Sequence, residues 1–371
     1  MKKNFLLFFN IIFFCFSFIG FEVGAWEGDS DVSVINTNQK PTFKDIFLEK
    51  CIRNSLNGYR EEFTKEIVET IDTLDCFGEK IQEIAGIEHL INLKTLSLEN
   101  NQIKDISALK DLFHLEELSL RSNKLVDISP LKKLKNLTVL RLWGNNIEDI
   151  SSLDELYNLL ELSAFDNQIK DISPIKNLHN LNIVNLRNNN IKDISALKGL
   201  VNLKKLALNH NQISDISAIY ESVNLKELNV SENNIENIDA LKNFKNLFSL
   251  SLSSNRIKDL NALENMKELK YLWLNNNQID SNNLRFIESL TSLENLYLGN
   301  NKIDDITFLK GLTSLTLLHL SNNFVTDLNP ISQMQSLFEL WIDNNSIKDF
   351  SVLEKIPSLQ TVVGKDLQRS L

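Results

Sequence analysis

"LKTLSLENNQIKDISALKDLFH", residues 93–114, decides the fold, because the same order of residue types returns along the chain. Copies start at 93, 115, 137, 159, 181, 203, 225, 247, 269, 293, 315 and 337, and every step is 22 residues except one of 24. The unit is L-x-x-L-x-L-x-x-N-x-I-x-D-I-x-x-L-x-x-L-x-N. Its alternating start predicts a short strand, and the remainder predicts a return arc. One unit cannot bury its own Leu and Ile face, so stacked units must share a continuous core.

A weaker copy precedes the full units from Ile71 to Asn92, and a truncated copy begins at Leu359. The unit resembles the leucine-rich repeat, and its 22-residue form with I-x-D-I on the return arc resembles the internalin-like family of exported bacterial proteins. The resemblance covers about residues 43–371. It implies an α/β repeat fold, a right-handed solenoid with a parallel β-sheet on the concave face, short 3₁₀ or irregular helical turns on the convex face and an N-terminal helical cap.

The chain begins with two lysines, an apolar run from Phe5 to about Phe21, and the small residues Val23-Gly24-Ala25. This order predicts a secretory signal peptide at 1–25, cleaved before Trp26; an uncleaved anchor is the alternative. A flexible mature N-terminus at 26–42, a helical cap at 43–70 and the repeat solenoid at 71–371 would follow. Cleavage would leave no stable membrane span. Because no sorting motif or wall-binding module follows the repeats, we expect the exported protein to be released or periplasmic.

Two cysteines, Cys51 and Cys76, remain after cleavage. In an exported protein such a pair indicates one disulfide, whereas two buried free thiols would be the alternative. Phe43, Ile46, Phe47 and Cys51 recur at helical spacing and predict an amphipathic capping helix with these residues on its inner side. Cys76 falls in the first strand region, so the bridge would attach this helix to the first coil.

Two polar columns of the repeat receive structural interpretations. The ninth position is Asn in every full unit, and a buried amide there can satisfy backbone groups where the chain turns inward. The column comprises Asn101, Asn123, Asn145, Asn167, Asn189, Asn211, Asn233, Asn255, Asn277, Asn301, Asn323 and Asn345. On the return arc, Asp105 and Ser107 have the types that cap short helical turns. A calcium-binding Asp column is the less favoured alternative.

The sequence offers little for catalysis, and we expect no enzyme activity, no cofactor and no metal site. No H-E-x-x-H, G-x-S-x-G, C-x-x-C or Gly-rich phosphate loop occurs, and the five histidines are scattered among the coils. The formal net charge is −10, and no run of five Lys or Arg occurs. Nucleic acid is therefore not an expected partner.

Aromatic residues point instead to binding. The third, fifth and seventh positions of each unit should point away from the core. Trp273, Tyr297, His319 and Trp341 occupy position five of four consecutive units, with Tyr271 beside them. Trp143 and Phe165 occupy position seven of two consecutive units; because Ala164 stands at an inward position usually held by Leu, Phe165 has the alternative of turning inward. Exposed aromatics dominate interface energetics, so we expect a partner-binding site; rings that merely cover the sheet are the alternative.

Charge on the same face is divided. Arg121, Arg141, Arg187 and Lys205 lie toward Trp143, whereas Glu339 and Asp343 flank Trp341. A protein partner of opposite polarity, from a host cell or the envelope, is the favoured interpretation. A carbohydrate stacked on the aromatic rings is the second candidate, with Asn275, Asn295 and Asp343 as hydrogen-bonding groups. A self-associating envelope protein and a cytosolic scaffold like the 22-residue-repeat phosphatase regulators are further alternatives.

Overall fold

The computed structural model describes residues 40–364. The predicted signal peptide lies outside the described residues, as do residues 26–39 of the predicted mature N-terminus and residues 365–371. In the described part, no helix is long and apolar enough to span a membrane.

One three-residue strand per unit builds a single sheet of 14 parallel strands, ordered as in the sequence. The apolar residues of neighbouring strands lie in register, as Leu250, Leu272 and Leu296 do. The strands are β1 Thr73–Asp75, β2 Thr95–Ser97, β3 Glu117–Ser119, β4 Val139–Arg141, β5 Glu161–Ser163, β6 Ile183–Asn185, β7 Lys205–Ala207, β8 Glu227–Asn229, β9 Ser249–Ser251, β10 Tyr271–Trp273, β11 Asn295–Tyr297, β12 Leu317–His319, β13 Glu339–Trp341 and β14 Thr361–Val363.

Short 3₁₀ helices form the return arcs, as the leucine-rich-repeat resemblance implied. They span Ile87–His89, Ser107–Leu109, Ser129–Lys133, Ser151–Leu153, Ser173–Ile175, Ser195–Leu197, Ser217–Ile219, Asp239–Leu241, Asn261–Leu263, Ser281–Ile287, Thr307–Gly311, Asn329–Ile331 and Ser351–Lys355. Asp105 Oδ1 accepts the N–H of Ser107 at 2.8 Å, at the start of one such turn. The two extra residues of the 24-residue unit lengthen its helix to seven residues, Ser281–Ile287.

The core is one continuous column of Leu and Ile side chains that runs through all the coils. Positions one, four and six of each unit point inward from the strand, and the Ile and Leu residues of the arc meet them from the other side. In the unit that starts at 137, for example, Leu140, Leu142 and Leu153 are fully buried. Each coil therefore covers the apolar face of the previous one, which a single unit could not do for itself.

The twelve asparagines of position nine make the same set of hydrogen bonds. Asn101 Oδ1 accepts the N–H of Ile81 at 2.9 Å, and its Nδ2 donates to the carbonyl oxygens of Cys76 at 2.9 Å and Leu98 at 3.0 Å. The Ile81 and Cys76 groups belong to the preceding coil. Each amide thus satisfies backbone groups at the inward turn, as predicted from the sequence, and links its own coil to the one before it.

The cap contains two helices, α1 Ile46–Ser55 and α2 Lys65–Val68. Cys51 and Cys76 form a disulfide that joins α1 to the end of β1. The predicted inner stripe is partly wrong: Ile46 is 71% exposed and Phe47 is 37% exposed. Leu48, Cys51 and Ile52 are the buried side of α1, while Phe43 is buried ahead of the helix. The helix begins at Ile46 because Asp45 caps it, so Phe43 lies ahead of the helix and does not share its periodicity.

Candidate functional site

The outward positions three, five and seven of all coils form one continuous surface, which we call the sheet face. Strand register places Trp273 beside Tyr297, Tyr297 beside His319, and His319 beside Trp341. Neighbouring strands lie about 4.8 Å apart, close enough for the side chains of one position to touch. These four residues, together with Tyr271 on β10, are called the aromatic file.

The rings of the aromatic file contact one another along its whole length. Trp273 and Tyr297 stack with centroids 5.7 Å apart and an interplanar angle of 14°. His319 meets Tyr297 edge to face at 6.1 Å and Trp341 at 5.5 Å. Tyr271 lies 6.2 Å from Trp273, and its hydroxyl donates to Glu294. Each ring remains partly accessible on the sheet face, and Trp341 is the most exposed at 36%.

The imidazole of His319 packs against Gly299 of the adjacent coil, which has no side chain. A Cβ atom at Gly299 would lie 2.7 Å from His319 Cε1, so any other residue there would force the imidazole to move. Burial lowers the pKa of His319 below its ordinary value, although the carboxylates of Asp343 and Glu339 act in the opposite direction. Gly299 escaped the sequence interpretation, and its only signal was a glycine at a position that other units fill with polar, charged or aromatic residues.

Trp143 and Phe165 form a second group of stacked rings, with centroids 4.8 Å apart. The guanidinium of Arg121 lies 5.1 Å from the Trp143 ring, and that of Arg187 lies 4.7 Å from the Phe165 ring. The sequence Arg, Trp, Phe, Arg thus runs along position seven of four consecutive coils. Phe165 points outward, and Ala164 alone fills the inward position, with 1% exposure.

The cations of the sheet face are already paired within the chain. Arg141 bonds Glu161 at 2.9 Å, Arg187 bonds Asp166 at 3.2 Å, and Lys205 bonds Glu227 at 2.7 Å. Arg121 bonds Glu99. The sequence interpretation of a basic half opposite an acidic half is therefore wrong for the basic half, because carboxylates of the adjacent coils neutralise these cations.

A trough of about 530 Å³ separates the two aromatic groups on the sheet face. Its floor is low because position five carries short side chains in four consecutive coils, namely Asn185, Ala207, Asn229 and Ser251, and Trp273 forms its wall at one end. The two asparagines predicted as carbohydrate contacts already make hydrogen bonds within the protein. Asn275 Oδ1 accepts the N–H of Gly299 at 2.8 Å, and Asn295 Oδ1 accepts the hydroxyl of Thr316 at 3.2 Å.

A second asparagine ladder, at position 22 of the unit, was missed although the repeat pattern contains it. Asn158 Nδ2 donates to the Lys135 carbonyl at 2.9 Å, and Asn180 Nδ2 donates to the Tyr157 carbonyl at 2.9 Å. The same bond recurs from Asn92, Asn136, Asn202, Asn224 and Asn246. This ladder is exposed. Each of its bonds joins the turn before one strand to a backbone carbonyl of the preceding coil. Among residues 40–364, no group of His, Cys, Asp or Glu side chains has an arrangement that would hold a metal ion.

Comparison with known proteins agrees with this architecture. The family model "Leucine Rich repeats (2 copies)" matches residues 114–155, 157–199, 201–243, 245–289, 291–333 and 313–355. No curated protein matches the chain. Among solved structures, the internalin inlF of Listeria monocytogenes is 34% identical, with a TM-score of 0.86, over 91% of this chain and 100% of that one.

Two further solved structures are similar over smaller parts of the chain. A leucine-rich-repeat protein of Leptospira interrogans is 30% identical, with a TM-score of 0.70, over 74% of each chain. The internalin inlC2 of Listeria monocytogenes is 32% identical, with a TM-score of 0.54, over 59% of this chain and 98% of that one. The repeat matches and these identities agree with the parallel sheet and its asparagine ladder: the chain belongs to the leucine-rich-repeat family and is an internalin-like bacterial member of it.

Proposed function

We propose that this protein is an exported, non-catalytic recognition protein that binds a protein partner, from a host cell or the envelope, through its sheet face. Leucine-rich-repeat solenoids typically act as interaction modules, because stacking creates an extended surface on a rigid frame. The aromatic file is the proposed hot spot. The observation that carries the proposal is its continuity: four rings from four consecutive coils touch one another and yet stay partly exposed.

The aromatic file is preorganised for binding. Each ring is held by its neighbours, so little side-chain entropy is lost when a partner covers the file. Tryptophan and tyrosine are enriched among residues whose truncation costs 2 kcal/mol or more at interfaces. The polar trough next to Trp273 supplies the rim of lower energetic importance that surrounds such hot spots.

The test is a pull-down from host-cell and envelope extracts with the full chain and two triple variants. The first variant carries Trp273→Ala, Tyr297→Ala and Trp341→Ala. The matched control carries Phe113→Ala, Tyr157→Ala and Phe324→Ala, which remove exposed aromatics that lie off the sheet face. Circular dichroism first establishes that all three proteins are folded.

We expect one protein to be retained by the full chain and by the control but lost by the aromatic-file variant. Retention by all three would reject the aromatic file as the site. A ligand that survives protease treatment of the extract and is destroyed by periodate would identify carbohydrate instead. Export is tested separately on the protein purified from its own bacterium, where we expect the N-terminus at Trp26 and no free thiol.

A further inference from the structure

The C-terminal end of the sheet face carries negative charge that the rest of the chain does not neutralise. We define the C-terminal patch as Trp341, His319, Glu339 and Asp343. Within residues 40–364, neither carboxylate has a salt bridge, in contrast to the paired charges near Trp143. The cations of the sheet face are thus paired within the chain, whereas the carboxylates of Glu339 and Asp343 lie without a salt bridge beside the exposed Trp341 ring at its C-terminal end.

Neutral donors hold both carboxylates in place. The indole Nε1–H of Trp341 donates to Glu339 Oε1 at 2.5 Å. The hydroxyl of Ser321 donates to Asp343, and Asn344 Nδ2 donates to the same carboxylate at 3.3 Å. These bonds orient the groups but leave their full charge uncompensated. His319 does not supply the missing cation, because burial lowers its pKa and favours the neutral imidazole.

We propose that the C-terminal patch receives an arginine side chain of the protein partner, whose guanidinium group lies against the Trp341 ring and pairs with Glu339 and Asp343. The inference rests on the proposed function and adds the chemistry of the contact. The two carboxylates favour a cation, and the adjacent indole ring favours a guanidinium over an ammonium group. A guanidinium is planar and weakly hydrated, so it stacks on an indole while its N–H groups bond carboxylates. An ammonium group is a compact and more strongly hydrated point charge, so it fits this combination of ring and carboxylates less well.

The chain itself contains the same arrangement at the other aromatic group. Arg187 lies against Phe165 and bonds Asp166, and Arg121 lies against Trp143 and bonds Glu99. There, an arginine from the neighbouring coil fills the position. At Trp341 the ring and the carboxylates are present, and the proposed partner would contribute the guanidinium.

The probe is acetylated tetra-arginine amide, compared with tetra-lysine and tetra-citrulline peptides of the same form. Binding to the full chain is measured by isothermal titration calorimetry at about 150 mM salt, where long-range attraction to an acidic protein is screened. The test variant carries Glu339→Gln and Asp343→Asn. The matched control carries Glu116→Gln and Glu117→Gln, which remove two exposed carboxylates near the other end of the sheet. A Trp341→Ala variant tests the ring.

We expect tetra-arginine to bind the native chain and the control alike, and to bind the test variant and Trp341→Ala about tenfold more weakly. Tetra-lysine should bind the native chain more weakly than tetra-arginine, and tetra-citrulline should not bind. Equal affinity for the test variant and the control, or equal binding of arginine and lysine peptides, would overturn the inference. A partner lost from the aromatic-file variant but retained by Glu339→Gln/Asp343→Asn would also overturn it, and would leave the proposed function standing.

Discussion

At the residue scale, position eight of every full unit adopts a left-handed backbone conformation. The twelve φ angles, from Asn100 to Asn344, lie between 51° and 69°. Asparagine and glycine tolerate this region, and asparagine occupies half of these positions. Side chains without that tolerance, such as Glu232 with φ 53°, adopt it because the flanking strand and the buried Asn233 fix the turn. Glu232 therefore carries local strain that a single substitution can relieve.

The first prediction is that Glu232→Asn stabilises the protein by about 0.5–1 kcal/mol, because asparagine enters the left-handed region at lower cost. The substitution removes the contact of Glu232 with His210, but both side chains are at least half exposed and such pairs contribute little. Urea denaturation at about pH 8 measures the change. The reverse substitution, Asn300→Glu at φ 55°, is the control and should destabilise by a similar amount. Failure of Glu232→Asn to stabilise the protein, or failure of Asn300→Glu to destabilise it, would contradict backbone strain as the cause.

The second prediction concerns the buried ladder. Asn233→Ala removes an amide that accepts the N–H of Ile213 and donates to the Leu208 and Val230 carbonyls. It should cost about 2–4 kcal/mol, because these backbone groups stay buried without partners. Asn224→Ala, in the exposed position-22 ladder, removes one bond to the Val201 carbonyl and should cost under about 1 kcal/mol. Urea denaturation of the two variants compares them, and equal losses would contradict the assigned roles.

The sequence predicted the role of a residue where that role recurs in every repeat. It did not predict a role that depends on a side chain of the adjacent coil. The Asn column and the outward placement of Trp273 repeat with the unit, so the sequence was sufficient to identify them. The close packing of His319 depends on Gly299 in the previous coil, and the pairing of Arg141 depends on Glu161 in the next one. Such contacts lie about one unit apart in the sequence, and pairing them requires the strand register.

At the element scale, helix α1 is attached to the first coil by two different links. One is the Cys51–Cys76 disulfide, and the other is Asp45 at the helix N-terminus. Asp45 Oδ1 accepts the N–H of Phe47 at 2.8 Å, and its Oδ2 accepts the N–H of Gln82 at 2.8 Å. One carboxylate thus caps the helix and binds the loop of the first coil. This double role explains why the helix begins where it does, which the apolar spacing alone did not reveal.

The third prediction is that Asp45→Ala destabilises the cap by about 1–2 kcal/mol at neutral pH. Burial raises the pKa of Asp45, but backbone N–H donors from Gln82, Glu83, Phe47 and Leu48 together outweigh it and hold the pKa below its ordinary value. Because the folded-state pKa is lowered, the stabilisation is present above the ordinary carboxyl pKa of about 4 and is lost as the pH falls through the folded-state value.

The measurement is urea denaturation of the native chain and of Asp45→Ala at pH 7 and at a series of lower pH values down to about pH 2. The difference between the two proteins should shrink at the lower pH. Glu61→Ala, in the same cap and on an exposed side chain, is the control and should change little at either pH. A difference that is independent of pH would assign the effect to packing instead of to the charge.

At the scale of the whole molecule, each coil contacts mainly its two neighbours, and the fold is a linear array. The fold class was predictable because a 22-residue period leaves few architectures possible, and the cap was only partly predictable because it lies outside the period. The proposed partner chemistry was not predictable from the sequence. It depends on which cations are neutralised by the adjacent coil, and this information exists only once the coils are stacked.

The fourth prediction is that deletion of residues 203–224, one complete unit, leaves a folded protein with the strand register intact. The unit starting at 225 would then stack on the unit starting at 181, with Asn233 taking the place of Asn211 in the ladder. Deletion of residues 203–213, half a unit, leaves an incomplete coil between the units that start at 181 and 225. The strands and arcs of these units would then no longer align, and the stack should not continue. Circular dichroism and urea denaturation distinguish the two; a whole-unit deletion as damaging as the half-unit deletion would contradict the array description.

Because the parallel strands follow one another in sequence order, distances along the sheet face are set by the number of strands between two residues. Trp143 lies just after β4 and Trp273 ends β10, and the two strands are six apart in an unbroken order. At about 4.8 Å for each strand, their separation is set by a whole number of units and changes only in steps of that size. Gain or loss of a unit between them would move one aromatic group relative to the other while leaving the chemistry of both intact. The number of units sets the distance between the two aromatic groups, whereas their side chains set the chemistry of each group. Recombination between repeats can therefore change the distance without changing either group.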